Sequence, residues 1–117
     1  MNPAELKART KTFAVKVIQL CRELPSTLDG RELGRQLLRA GTSVASNYRA
    51  ACRARSRAEF IAKLGIVLEE SDESQFWLEL IADSNLKPRA RVAALMDEAD
   101  QLTAIFAASL KTAKRGP

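Results

Sequence analysis

Residues 60–81 read FIAKLGIVLEESDESQFWLELI, with apolar or small side chains recurring at Phe60, Leu64, Val67, Ser71, Ser74, Leu78 and Ile81. The steps alternate between four and three residues. That period is the inward stripe of a helix packed nearly parallel or antiparallel to its neighbours. Three further stretches carry the same stripe: Leu6, Thr10, Phe13, Val17, Leu20, Leu24; then Leu33, Leu37, Ala40, Val44, Asn47, Ala51; and Val92, Leu95, Ala99, Leu102, Phe106, Ser109. Four stripes predict an all-α, up-down-up-down antiparallel four-helix bundle. Antiparallel neighbours joined by short loops pair residues whose numbers sum to a constant. The stripes pair at 57 for helices one and two, 111 for two and three, and 173 for three and four.

Local signals place the helix ends. Pro3 and a helix-friendly run predict helix one over about 4–24, and Pro25 ends it by disfavouring helical backbone in the residue before it. Thr27 or Asp29 caps helix two, expected over 30–54. Gly34 and Gly41 inside that helix each cost about 1 kcal/mol relative to Ala, so a neighbouring element is expected to come close there. Ser56 and Glu59 form a capping box for helix three over 57–83, and Pro88 opens helix four over 88–112. A basic, frayed tail is expected at 113–117. The whole chain, 1–117, reads as one domain.

Composition narrows the function. Hydrophobic residues make up 46% and charged residues 28%, as in an ordinary globular protein rather than a disordered chain. No apolar run approaches the ~18 residues of a membrane span, and the N-terminus lacks an apolar signal core, so no membrane association and a cytoplasmic location are expected. The sequence contains no histidine, which excludes His-dependent triads and zinc chemistry of the usual kind. Cys21 and Cys52 fall at opposite ends of the bundle and read as free thiols. Net charge is +5, but residues 1–57 hold 12 basic and 4 acidic side chains, residues 58–86 hold 1 and 7, and residues 87–117 hold 6 and 3. Two faces of opposite sign follow.

Three constellations carry the candidate chemistry. Thr10, Asn47 and Ser109 share one layer, where Asn47 is expected to bond Thr10, Ser109 or a trapped water; the layer reads as a register pin or a small polar pocket. The EESDE run, Glu69 to Glu73, faces Gln36, Arg39 and Ser43, with Arg39 within reach of Glu70 or Glu73. A salt-bridge network of Gln36, Arg39, Ser43, Asn47, Glu70 and Glu73, within one chain or between subunits, is favoured over a carboxylate metal site. The di-iron pattern needs histidines that are missing, so no metal and no cofactor is assigned. The third is RAACRARSR, where Arg49, Arg53, Arg55 and Arg57 cluster at the turn between helices two and three, near Lys7, Lys11, Lys111 and Lys114. Arginine forks suit phosphate, so this basic pole is the candidate nucleic-acid surface; the alternatives are a solvated charge run or a subunit contact. Aromatic content is only 5%, too low for base-stacking platforms. Tyr48, Phe76 and Trp77 lie off the stripes, as flanking core or as a subunit contact.

The string GRQLLRAGTSVASNYRAACRARSRAEFIAKLGIVLEESDESQFWLELI resembles the core of the bacterial four-helix bundle family also called the 23S rRNA intervening-sequence protein family. Gln36, Leu37, Arg39, Ser43, Asn47, the segment 55–60 and the stretch from Glu70, Asp72 and Glu73 into Trp77 and Leu78 carry the likeness. The resemblance implies a left-handed bundle and a homopentameric ring. It also implies nucleic-acid association, since a relative serves as accessory factor to the reverse transcriptase of diversity-generating retroelements. It supplies no catalytic residue. Residues and resemblance together point to a non-enzymatic, homo-oligomeric scaffold or accessory protein binding RNA or DNA. The competing reading is a protein-interaction module with no nucleic-acid role.

Overall fold

A computed structural model describes residues 1–116 as four α-helices: α1 (Pro3–Glu23), α2 (Leu28–Ala51), α3 (Arg57–Asp83) and α4 (Arg89–Arg115). They form a rod of 50 × 20 × 19 Å, an antiparallel four-helix bundle in which, of the neighbouring pairs, α2 and α3 pack most closely and α1 and α4 least. Every stripe residue is buried or half-buried, with Leu24, Leu33, Asn47, Phe60 and Ser109, all near the two ends, only half-buried. Cross-helix contacts fix the register. A β-carbon added to Gly34 would lie against Leu24, and one on Gly41 against Val17, pairs that sum to 58. Ser71 and Thr103 meet at 2.9 Å and sum to 174. Each agrees within one with the sequence pairing.

The helix ends follow side-chain chemistry. Thr27 caps α2 by accepting from the Gly30 N–H at 3.2 Å, while Asp29 accepts from the Thr27 hydroxyl at 2.6 Å, so α2 starts two residues earlier than expected. It also ends earlier, at Ala51 rather than 54. The N–H groups of Arg53 and Ala54 bond to carbonyls three residues back, the tight turn that closes a helix. Ser56 accepts from Glu59 N–H at 3.0 Å, and the Glu59 carboxylate reaches back to the Arg55 N–H. At the far end of α3, Asn85 takes φ 59°, and the bonds Leu86 N–H to Ile81 and Asn85 N–H to Ala82 complete a Schellman cap with asparagine in place of glycine. Helix α4 runs to Arg115, so residues 113–115, expected to fray, are helical. The Arg57 guanidinium donates to the Ala113 carbonyl, with Nε at 2.9 Å, satisfying one of the acceptors a helix end leaves open. Pro117 of the expected tail lies outside the described residues.

One side-chain expectation needs correction. Asn47 does not bond across its layer: its amide donates to Ser43 O at 2.9 Å, and Thr10 donates to Lys7 O at 3.0 Å. Local backbone acceptors one turn away win over the cross-bundle partners. The interhelical hydroxyl pair forms two levels away from that layer, between Ser71 and Thr103, the latter just off the α4 stripe. Of the two alternatives for Tyr48, flanking core is the one formed: it is 6% exposed and packs on Phe106 with ring centroids 5.6 Å apart.

Candidate nucleic-acid interface

Several cations along the rod are matched to carboxylates, while Lys16, Arg22, Arg31 and Lys63 are in no ion pair among the described residues. Arg9 holds Glu98 at 2.7 and 2.8 Å, binding α1 to α4. Arg91 and Lys87 converge on Glu23 at the other end of that seam, and their donors hold the Glu23 carboxyl below the usual carboxylate range. Arg39 bridges Glu70, at 2.9 Å, and Glu73, as the register predicted. Glu73 also accepts from the Trp77 indole N–H at 3.1 Å; Arg39 first, and Trp77 after it, pull its pKa down. The other expected members stay local. Gln36 bonds Glu32 at 3.1 Å, and Ser43 offers its backbone carbonyl to Asn47. The network is therefore a three-residue clamp between α2 and α3 within one chain. Among the described residues, no three acidic or thiol side chains converge to hold a metal ion.

The basic pole is different. Lys7, Lys11, Arg49 and Arg53 line one groove of about 480 Å³ between α1 and α2, together with Ala8, Thr42, Ala45 and Ser46. Among the described residues, none of these four cations is in an ion pair. Local structure explains the arrangement: Lys7 and Lys11 are one turn apart on α1 and project from one face, while Arg49 lies in the last turn of α2 and Arg53 in the tight turn that follows it. The alanines and short hydroxyl residues between them leave the floor open.

The other predicted cations do not join this groove. Arg57 is occupied at the end of α4. Arg55, Lys111 and Lys114 are exposed but line no part of the groove. The open, small-residue floor was legible in sequence as Ala8, Ala45 and Ser46, but only once the facing sides of α1 and α2 are known.

Cys52, at the C-cap of α2, is exposed. Cys21 is half-buried, with its thiol directed at Gly34 O at 3.5 Å, and burial pushes its pKa up to about 11. Among the described residues, no helix is long and apolar enough to cross a membrane.

The sequence profile of the 23S rRNA-intervening sequence proteins matches residues 4–108. The chain belongs to that family. A crystal structure of a protein of unknown function, from the S23 ribosomal protein family of Bacteroides thetaiotaomicron VPI-5482, superposes with a TM-score of 0.85 at 30% identity, covering 95% of this chain and 99% of that one. No curated protein matches. Membership of the 23S rRNA-intervening sequence family agrees with the bundle read from the four stripes.

Proposed function

We propose that this protein is a non-enzymatic scaffold or accessory factor of the cytoplasm, assembled as a homopentamer, that binds RNA or DNA by charge through the α1–α2 groove. The observation that carries the reading is the convergence of four unpaired cations on one groove. Arg9, Arg39 and Arg91 on the shaft are held by carboxylates; the four cations of the groove are in no ion pair among the described residues, and they face one another across a floor of small side chains. An array of unneutralised cations on two helices and the turn that closes one of them is what a phosphate backbone requires, and the lack of aromatics there makes the contact insensitive to sequence. Arg55, Lys111 and Lys114 extend the same field around the pole. The opposite signs of the basic end and of α3 supply two different complementary patches, as a closed ring needs.

The test is binding of a fluorescent duplex across a salt series, followed by anisotropy. If all four cations meet phosphates, log affinity falls with log salt with a slope of about −3.6, or roughly 150-fold between 50 and 200 mM. The variant Arg49→Glu/Arg53→Glu is expected to bind more weakly and to halve the slope at most. Absence of binding at low salt, or equal binding by the variant, refutes the reading.

One observation favours the second reading, a protein-interaction module. Phe76 is 49% exposed on α3, beside Asp72 and Glu79 and supported edge-on by Trp77 at 5.1 Å. A partner protein such as a reverse transcriptase would meet this face, and Phe76→Ala would weaken that contact while leaving nucleic-acid binding unchanged.

A further inference from the structure

The same groove says something about what its ligand does not need. Nucleic-acid bases are recognised by hydrogen bonding along their edges or by stacking on flat side chains. No aromatic, amide or carboxylate side chain lines the groove. Its two hydroxyls are turned to their own helix: Thr42 donates to Leu38 O at 2.7 Å and Ser46 to Ser43 O at 3.4 Å. Ala8 and Ala45 offer only methyl groups. The donors left for a ligand are therefore all cationic, the ammonium groups of Lys7 and Lys11 and the guanidinium groups of Arg49 and Arg53.

The placement of those cations is linear. In the antiparallel register of α1 and α2, Arg53 lies level with the start of α1, Arg49 lies beside Lys7, and Lys11 lies beyond them. At 1.5 Å per residue the row spans about 10 Å along the rod. A chain of phosphates laid in the groove meets cations from both walls. Sugar and base have nothing to bond there.

We propose that inorganic polyphosphate, a phosphate chain without sugar or base, is a ligand of the α1–α2 groove in its own right. The inference rests on the groove being a phosphate site, as in the function proposed above, and deepens it by assigning recognition to the phosphate chain alone. Guanidinium forks bind non-bridging phosphate oxygens in pairs, and the lysine ammonium groups act as point charges between them. A chain outcompetes single phosphate ions because its successive phosphates bind at one entropic cost.

The experiment is isothermal titration of the full chain with polyphosphate of defined length and with orthophosphate, beside displacement of the fluorescent duplex by each. Wild type is compared with Arg49→Gln/Arg53→Gln and with Arg31→Gln, an exposed cation at the far end of α2; circular dichroism confirms that each is folded. Polyphosphate is expected to bind wild type and Arg31→Gln alike, to lose about tenfold or more in affinity for the double variant, and to displace the duplex where orthophosphate does not. Equal binding by wild type and the double variant overturns the proposal, as does displacement by orthophosphate as effective as by the chain. Duplex binding that needs Arg49 and Arg53 but resists polyphosphate overturns it while leaving the nucleic-acid reading intact. Polyphosphate binding without duplex binding does the reverse, and binding of neither removes both.

Discussion

Replacing Gly41 and Gly65 separately by alanine changes two helix interiors by the same methyl group, and the structure assigns the two changes opposite signs. A β-carbon on Gly65 meets nothing within 4 Å, so Gly65→Ala collects only the gain in helix propensity, about 1 kcal/mol. With an unfolding entropy of roughly 2.1 cal/mol/K per residue, that gain raises the Tm by about 4 °C. At Gly41 the new carbon would lie 2.9 Å from both methyls of Val17, which is fully buried. Valine has one strongly preferred rotamer in a helix, so it cannot swing away, and α1 and α2 must separate instead. Overpacking of this kind typically costs 1–3 kcal/mol, which outweighs the propensity gain and leaves a net loss of about 1 kcal/mol. Thermal unfolding followed by circular dichroism at 222 nm should therefore separate the two variants by roughly 8 °C, with wild type between them. If Gly41→Ala gains as much as Gly65→Ala, the close approach of α1 to α2 at Val17 is refuted.

Other predictions follow from single contacts. Arg39 and Trp77 hold the Glu73 carboxylate below its usual range, so its contribution to stability is present above the unfolded value of about 4.3 and is lost as pH falls through the depressed value in the fold. Urea midpoints should be insensitive to this group between pH 5 and 7 and should fall less steeply below about pH 4.5 in Glu73→Gln than in wild type; an unchanged acid limb removes the clamp from the stability argument. With a thiol reagent at pH 8, Cys52 should react within the first phase and Cys21 far more slowly, because burial keeps Cys21 protonated and covered. Two equally fast thiols would contradict the packing of Cys21 against Gly34. Ser71→Ala removes the hydroxyl pair between α3 and α4 but leaves Thr103 bonded to Ala99 O, so chemical denaturation should show a loss of only about 0.5–1.5 kcal/mol.

The amino-acid sequence by itself determined the helix count, the inward face of each helix and the register between neighbours. Those depend on spacing along the chain, and the alternation of three and four residues at Phe13, Val44, Val67 and Phe106 leaves one way to bury all four stripes. It also determined the Arg39 clamp, because the register alone brings that side chain beside Glu70 and Glu73. It did not determine where short polar side chains bond. Asn47 and Thr10 chose backbone carbonyls of their own helix, a competition settled by distances of a few tenths of an ångström. Nor did it determine the fate of each cation in the basic cluster. Arg49, Arg53 and Arg57 are alike in composition and lie within nine residues, yet two line an open groove with α1 and the third is bound to the end of α4. The direction in which each leaves its helix, and which neighbouring helix lies in that direction, are properties of the packed bundle, and these alone divide a surface for phosphate from a latch within the fold.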